Sequence, residues 1–91
     1  MMLYLIVYDV SDDDLRDAIR KRLKDEGGAR IQYSAFLLEA DRTHVEELFM
    51  YFRRIIGSRK AKVIAIPICG MDRERAITLT HNYEVEEEPL I

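Results

Sequence analysis

The chain has 91 residues, of which 48% are hydrophobic and 34% are charged. This length accommodates one small domain, and the apolar share excludes a disordered protein. No apolar stretch approaches the length of a membrane-spanning helix, so we expect no membrane segment. A single cysteine excludes an internal disulfide, and residues 1–9 lack a signal-peptide pattern. Both features favour the cytoplasm.

The net charge of −3 is unevenly distributed along the chain. Four of the 17 acids lie in residues 83–91, so residues 1–82 carry 13 acids against 14 bases. We therefore predict a nearly neutral domain at 1–82 and an acidic C-terminal tail at 83–91. The tail either solubilises the protein or adds to a sheet edge of a partner. The bases concentrate in residues 16–24 and 53–62, which indicates a basic face.

The N-terminal third predicts a strand followed by a helix. Leu3–Tyr8 is a continuous apolar run rich in β-forming residues, which is typical of a strand buried on both faces. Ser11 is the predicted N-cap, because three aspartates follow it where the helix dipole favours negative charge. Apolar residues then recur at helical spacing up to Leu23, and Gly27 ends the helix.

The middle of the chain predicts a hairpin and a second helix. Residues 30–40 alternate partly and indicate one or two strands in a bent hairpin, whose turn position the pattern leaves open. Asp41 or Thr43 caps the next helix, and Thr43 has a glutamate three residues later, the spacing of a capping box. The apolar stripe of this helix begins at Val45, and Gly57 ends the helix.

The C-terminal third predicts two more strands. Val63–Ile68 is apolar, and Pro67 places its end at a sheet edge or a bulge because proline lacks a ladder donor. Met71–Glu74 is interpreted as a turn, and Ala76–Tyr83 alternates as a half-exposed strand does. The order β-α-β-β-α-β with an extra C-terminal strand predicts a ferredoxin-like α+β sandwich.

Asp9 is the first candidate for chemistry, because it follows a buried strand at the rim of the predicted sheet. It is either a turn-forming or helix-capping residue, or a ligand of Mg²⁺, which prefers carboxylate oxygens and water. One aspartate by itself makes a poor metal site. A twofold dimer axis near Asp9 would pair it with its symmetry mate, and the repulsion between the two carboxylates then favours a cation.

Three arginines are candidates for phosphate binding. Arg16 and Arg20 lie one helical turn apart, and Arg30 follows a glycine pair, so they form either a solvated face or a phosphate-gripping surface. Tyr8 and Phe36 are either core residues or rings that stack on bases or position a phosphodiester. The two histidines lack metal-ligand spacing, and the sequence has no nucleophilic triad, paired-cysteine motif, phosphate loop or dinucleotide motif.

Two segments resemble signatures of the second CRISPR-associated protein family, Cas2. Residues 3–12, LYLIVYDVSD, are similar to the opening strand and turn of that family, and residues 30–36, RIQYSAF, to its second-strand signature. The resemblance covers nearly the whole chain. It implies a homodimer of ferredoxin-like subunits in CRISPR spacer acquisition, placed between copies of the adaptation integrase. It also implies Mg²⁺-dependent endonuclease activity on single-stranded RNA or double-stranded DNA, as described for some members.

The resemblance also assigns roles to individual positions. It places the metal ligand at Asp9 and implies catalytic roles for Asp9, Tyr8, Arg16, Arg30 and Phe36. The residues expected to contact nucleic acid are Arg16, Arg20, Arg30 and Ser34. Two positions depart from the family pattern, since Leu38 replaces a glycine in the hairpin and Ala18 replaces an arginine of some relatives.

Two functions stay open on the sequence alone. In the first, the protein is a dimeric metal-dependent phosphodiesterase in which two Asp9 carboxylates hold Mg²⁺ and arginines hold the nucleic-acid backbone. In the second, it is a binding scaffold whose bases neutralise duplex phosphates, and Asp9 is structural. A small metabolite-binding domain is a third interpretation, which no pocket-forming motif supports.

Overall fold

A computed structural model describes residues 2–83, which form one four-stranded antiparallel sheet and three helices. In chain order the elements are β1 (Met2–Val10), α1 (Asp13–Asp25), β2 (Ala29–Gln32), β3 (Ala35–Ala40), α2 (Arg42–Ile56), β4 (Ala61–Ile68) and α3 (Gly70–Glu74). The strands lie in the order β2-β3-β1-β4. The predicted ferredoxin-like α+β sandwich is confirmed.

The hydrophobic core lies between the sheet and the two long helices. Both helices present apolar residues at helical spacing to the same face of the sheet. The buried members of this core include Tyr4, Ile6, Tyr8, Phe36 and Leu38 from the sheet and Leu15, Ile19, Leu23, Val45, Leu48 and Phe52 from the helices. The helical stripes predicted from the sequence are therefore the ones that fold onto the sheet.

Helix α1 begins one residue later than predicted. Asp12 is its N-cap, and the Asp12 carboxylate accepts a hydrogen bond from the Leu15 amide at 3.0 Å. The prediction of Ser11 as the cap is wrong, because the carboxylate of the next residue already satisfies an amide of the first turn. The helix ends before Gly27, whose φ of +89° is the left-handed conformation that glycine adopts without strain.

Helix α2 begins after Asp41, the first of its two predicted caps. The Asp41 side chain makes no capping hydrogen bond, and the predicted capping box at Thr43 is wrong because Thr43 already lies inside the helix. Gly57 ends the helix with a φ of +59°. The stabilisation of α2 therefore comes mainly from its buried face rather than from its N-terminus.

Strand β1 is buried on one face only along its second half. Its even-numbered residues from Tyr4 to Val10 are at most 5% exposed, whereas Val7 is 36% exposed. Successive side chains of a strand point to opposite faces, and both long helices pack against the even-numbered side. The prediction of a strand buried on both faces is therefore wrong for this half.

The hairpin turn lies at Tyr33 and Ser34, between β2 and β3. Leu38 is inside β3, where it pairs with β1 and is 1% exposed. The position at which Leu38 replaces the family's glycine is therefore a buried strand position and does not belong to the turn. The β2–β3 register shifts between Arg30 and Gln32, which bends the hairpin as a bulge does.

The C-terminal part differs from the prediction in two places. Met71–Glu74 belongs to a short helix, α3, and not to a turn. The prediction of an extra C-terminal strand is wrong for the single chain, because residues 76–83 form no strand. The side chains of Ile77 and Leu79 in this segment are 97% and 94% exposed. A strand needs a neighbour for its backbone hydrogen bonds, and none of β1–β4 pairs with this segment. The predicted acidic tail beyond Tyr83 lies outside the described residues.

Strand β4 lies at an edge of the sheet, which is one of the two positions predicted from Pro67. Strands β1 and β4 are antiparallel. Pro67, near the end of β4, pairs with Tyr4 near the start of β1, and Ala61 at the start of β4 pairs with Val10 at the end of β1. Within residues 2–83, every helix is too short or too polar to span a bilayer.

Glu26 connects the two long helices at the end of α1. Its carboxylate accepts a hydrogen bond from Arg22 Nε at 3.0 Å and lies 2.8 Å from His44 Nε2 in α2. Burial raises the pKa of Glu26, but the hydrogen bonds from Arg22 and His44 outweigh it and hold this pKa below its ordinary value of 4.5.

Because the folded-state pKa of Glu26 is lowered, its contribution to stability is present above pH 4.5 and is lost as the pH falls through the lowered value. We expect Glu26→Gln to lower the free energy of unfolding at pH 7 by about 1 kcal/mol, and by less at pH 3. Urea unfolding at both pH values measures this difference. Glu46→Gln, which removes an exposed partner of Arg42, is the control. An equal loss for Glu26→Gln at both pH values contradicts the prediction.

Candidate nucleic-acid interface and metal ligand

The sheet separates Asp9 from the other predicted site residues. Tyr8 and Val10 belong to the core between sheet and helices and are 2% and 5% exposed. Asp9 lies between them in β1, so its side chain leaves the opposite face, where it is exposed. Within one chain, Asp9 therefore does not share a site with the residues around Tyr8.

Asp9 lies near the end of β1, beside basic side chains. Its register partner on β4 is Lys62, so the two side chains leave the same face of the sheet next to each other. Arg59 pairs with Asp12 at 3.4 Å and brings the second basic cluster to this end of the sheet. This positive charge offsets the repulsion between Asp9 and an approaching phosphate.

The face that carries Asp9 is apolar along most of its length. We call it the open face; it comprises Leu5, Val7, Ile64, Ile66 and Ile68, which the β1–β4 register places side by side. The exposed fractions of Val7, Ile64 and Ile66 are 36%, 39% and 44%. A contiguous row of exposed aliphatic side chains marks an interaction surface, unlike single exposed residues scattered over a protein.

Three arginines lie near the phenol of Tyr8 on the helix side of the sheet. We call Arg16, Arg20 and Arg30 the arginine cluster. Burial raises the pKa of the Tyr8 phenol above its ordinary value, and the charges of all three arginines act against this rise. The phenol is therefore neutral at physiological pH, and its hydroxyl donates to the carbonyl oxygen of Tyr33 at 3.4 Å.

Two members of the arginine cluster are held by weak surface contacts on α1. Arg16 Nη1 donates to the carbonyl of Val10 at 3.2 Å, and Nη2 pairs with Asp13. Arg20 pairs with Asp17 at 3.6 Å. The arginine side chains are 25% and 32% exposed, and their aspartate partners are largely solvated. Because exposed ion pairs of this kind contribute little, a phosphate can replace the aspartates.

The rings of Tyr8 and Phe36 pack on each other inside the core. Their centroids are 6.3 Å apart with an interplanar angle of 28°, and they are 2% and 0% exposed. The interpretation of these rings as a base-stacking surface is therefore wrong, because no base can reach them. The catalytic roles that the resemblance implies for Tyr8 and Phe36 stay predictions. Because both rings are buried, any such role is indirect, through the position of the strands that they support.

The turn between β2 and β3 contains one predicted site residue and one that sequence reasoning missed. The carbonyl of Ser34 accepts a hydrogen bond from the Tyr8 amide at 3.0 Å, and its side chain is partly exposed. Its contact with nucleic acid stays a prediction. Tyr33 is 65% exposed beside the arginine cluster. The sequence pattern left the position of the turn within residues 30–40 open, so it did not show that the aromatic ring of Tyr33 lies in the turn.

Asp9 is the exposed carboxylate that the sequence predicts as a metal ligand. Residues 2–83 contain no group of three or more His, Cys, Asp or Glu side chains that could hold a metal ion. An exposed carboxylate suits Mg²⁺, which binds oxygen ligands and retains several waters. One carboxylate is only part of such a site, and the remaining ligands must come from water, from a phosphate or from a second chain.

A family model described as CRISPR associated protein Cas2 matches residues 2–76. The chain belongs to the Cas2 family. The CRISPR-associated endoribonuclease Cas2 of Desulforudis audaxviator is 38% identical over 71 residues, which are 78% of this chain and 67% of that relative. The family membership predicted from residues 3–12 and 30–36 is thus confirmed.

Two solved structures share the fold of this Cas2-family chain. Streptococcus pyogenes Cas2 at pH 6.5 has a TM-score of 0.72 and 21% identity, and covers 87% of this chain and 100% of its own. A chain of a partial Cas6-RT-Cas1–Cas2 complex has a TM-score of 0.65 and 18% identity, and covers 99% of this chain and 91% of its own. At these identities the similarity is one of fold.

Proposed function

We propose that this Cas2-family protein is a homodimeric endonuclease of CRISPR spacer acquisition that hydrolyses single-stranded RNA or double-stranded DNA with Mg²⁺. The observation that carries the proposal is the position of Asp9 on the open face. A twofold-related copy on that face covers the exposed aliphatic residues and brings a second Asp9 carboxylate. The proposed role with nucleic acid is one that we expect to be carried out in the cytoplasm.

The open face supports a second copy of the chain as its occupant. Its exposed residues are aliphatic, as is typical of the core of an interface between two copies of a chain. The exposed segment with Ile77 and Leu79 offers alternating apolar residues, and β4 offers an unpaired strand edge. In the dimer we expect this segment to add to the partner's β4, where its backbone finds the ladder that one chain lacks.

Two Asp9 carboxylates across the dimer axis would hold Mg²⁺. When bound, the ion stabilises charge on the phosphodiester and lowers the pKa of a coordinated water. Lys62, beside Asp9 in the register, attracts the phosphate towards the two carboxylates. Arg59 adds positive charge at the same end of the sheet, where it pairs with Asp12 at the start of α1.

The arginine cluster would hold the nucleic-acid backbone on the helix side of each subunit. Guanidinium groups match phosphate oxygens and bind them without reading sequence. Arg16 and Arg20 lie on one side of α1, and Arg30 reaches the same surface from β2. Nucleic acid that binds both this surface and the Asp9 end must pass around the edge of the sheet.

The names of similar proteins supply the substrate and partner in the proposal. The Desulforudis audaxviator relative is called an endoribonuclease, which favours RNA as one substrate. One structural neighbour belongs to a complex that contains Cas1. We infer an adaptation integrase of the Cas1 type as the protein partner, which the dimer would join while it holds DNA.

A non-catalytic DNA-binding scaffold of the same integrase complex is the second candidate. It is favoured by the lack, within residues 2–83, of a group of three or more potential metal ligands, and by the sheet that separates Asp9 from the arginine cluster. In this function the arginines bind duplex phosphates, and Asp9 has no role in cleavage.

Cleavage of end-labelled single-stranded RNA and double-stranded DNA tests the proposal. The full-length dimer is incubated with each substrate in Mg²⁺ and in a chelator. We expect cleavage of at least one substrate in Mg²⁺ only. A folded dimer that binds both substrates and cleaves neither contradicts the endonuclease and leaves the scaffold function.

Arg20 is the clearest test of phosphate binding. We expect Arg20→Gln to reduce the slope of log affinity against log salt by about 2 per dimer, since each lost phosphate contact removes about 0.9. Duplex binding by fluorescence anisotropy at several salt concentrations measures the slope. Arg42→Gln is a matched control, because Arg42 also pairs with an acid at 3.6 Å but lies by Tyr4, at the other end of the sheet. Equal slopes for the two variants contradict the assignment.

A further inference from the structure

Tyr33 is a large exposed ring in the tight turn between β2 and β3. It is 65% exposed, whereas Tyr8 and Phe36 on the flanking strands are buried. An exposed tyrosine in a turn is unremarkable by itself. Its surroundings make it a candidate binding element, because two guanidinium groups of the arginine cluster lie against it.

Two guanidinium groups lie close to the Tyr33 ring, which remains 65% exposed. The Cζ atoms of Arg30 and Arg16 lie 5.1 Å and 5.8 Å from its centroid. Both distances are within the range of cation–π attraction. The arginines therefore limit the orientations of the ring and place positive charge beside its exposed surface.

The backbone of the turn is also held in place. The carbonyl of Tyr33 accepts hydrogen bonds from Arg30 Nη2 at 2.9 Å and from the Tyr8 hydroxyl at 3.4 Å. The next carbonyl, that of Ser34, accepts one from the Tyr8 amide at 3.0 Å. A ring on so well-anchored a turn loses little conformational entropy when a ligand stacks on it.

An exposed aromatic ring beside two guanidinium groups suits a nucleotide with an unpaired base. The ring offers a stacking surface to any base, and the guanidinium groups offer charge to the phosphates on either side. A base inside a duplex is covered by its neighbours and is not available for such stacking. The arrangement therefore distinguishes unpaired from paired nucleotides without reading sequence.

We propose that Tyr33 is a stacking platform for one unpaired nucleobase and gives the arginine cluster a preference for single-stranded nucleic acid or an unpaired end. This inference rests on the nucleic-acid binding proposed above and adds to it the residue that selects the unpaired state. A purely structural Tyr33, which shields the two arginines from solvent, is the competing explanation.

Three variants separate these explanations by anisotropy with a single-stranded oligonucleotide and a blunt duplex of the same sequence. We expect Tyr33→Leu to bind the single strand about tenfold more weakly, the loss typical of one stacked base, and to bind the duplex as before. Tyr33→Phe keeps the ring and should bind like the wild type. Met50→Leu changes an exposed residue of α2 and is the control. Circular dichroism and thermal unfolding establish that each variant is folded.

A spectroscopic readout tests stacking directly. The sequence contains no tryptophan, so Tyr33→Trp introduces the only indole of the protein. We expect single-stranded oligonucleotide to quench its fluorescence at the concentrations at which anisotropy reports binding, and blunt duplex to quench it much less. Met50→Trp, on the exposed surface of α2, should show no quenching with either nucleic acid.

The outcomes are distinct for the two proposals. Equal losses of single-strand and duplex affinity in Tyr33→Leu, or an unquenched indole in a bound complex, overturn the stacking role but leave nucleic-acid binding intact. A wild-type protein that binds neither nucleic acid overturns both proposals. Selective loss of single-strand affinity with a quenched indole supports both.

Discussion

Asp9→Asn is expected to reduce Mg²⁺-dependent cleavage by at least about a thousandfold, since the loss of a metal ligand removes several kcal/mol of charge stabilisation. The amide has nearly the same size as the carboxylate, and Asp9 is exposed outside the core, so the fold should be unaffected. The rate of release of end-labelled fragments at saturating Mg²⁺ measures the effect. Thermal unfolding of the variant establishes that it is folded.

The same variant should leave the dimer intact or strengthen it. Two carboxylates held near a twofold axis without a cation repel each other, and the amides do not. We therefore expect unchanged or tighter dimerisation by sedimentation equilibrium, together with unchanged duplex affinity. This combination separates a catalytic loss from a structural one.

Asp25→Asn is the matched control for the lost charge. Asp25 is an exposed carboxylate at the C-terminal end of α1, far along the helix from the Asp9 end. The Asp25→Asn variant should cleave both substrates like the wild type. Equal cleavage by Asp9→Asn and Asp25→Asn would contradict the metal-ligand role of Asp9 and favour the scaffold function.

Ile66→Lys is expected to convert the proposed dimer into folded monomers, with a dissociation constant raised by at least about a hundredfold. Ile66 lies within the row of apolar residues on the open face, so a dimer would bury two lysine charges there without partners. In the free chain the side chain is 44% exposed, so the monomer tolerates the charge. Sedimentation equilibrium across a range of concentrations measures the change.

Loss of the dimer should also abolish cleavage, because one chain offers only one Asp9 carboxylate. Met50→Lys makes the same apolar-to-charged change on the outer surface of α2, where Met50 is 71% exposed, and should leave both dimer and cleavage unchanged. A dimer that survives Ile66→Lys would show that the two copies do not meet through the open face. Cleavage by a proven monomer would contradict the shared metal.

Most of the fold was predictable because local signals agreed with the final packing. The apolar stripe of α2, the glycines that end both long helices and the proline on β4 each act within a few residues. The errors lie where two local interpretations competed. Ser11 and Asp12 are both good caps, and only the backbone path from β1 into α1 selects Asp12.

The extra C-terminal strand shows the limit of periodicity. The alternation around Ile77 and Leu79 is that of a strand, yet one chain provides no neighbour for its hydrogen bonds. Periodicity reports which residues prefer burial and not which surface will bury them. The alternation in this segment therefore does not by itself identify the surface against which it packs.

The sequence by itself determined the family, the order of elements and the types of residue available for chemistry, namely Asp9 and the three arginines. Only the tertiary structure decided which of them lie together. Alternation in β1 places Asp9 on the open face, whereas packing of α1 and β2 gathers the three arginines around Tyr8 on the other face. The alternation of Tyr8 and Asp9 across β1 is local, but the long-range packing of the helices decides which face of the sheet is covered, so Tyr8 is buried and Asp9 is exposed.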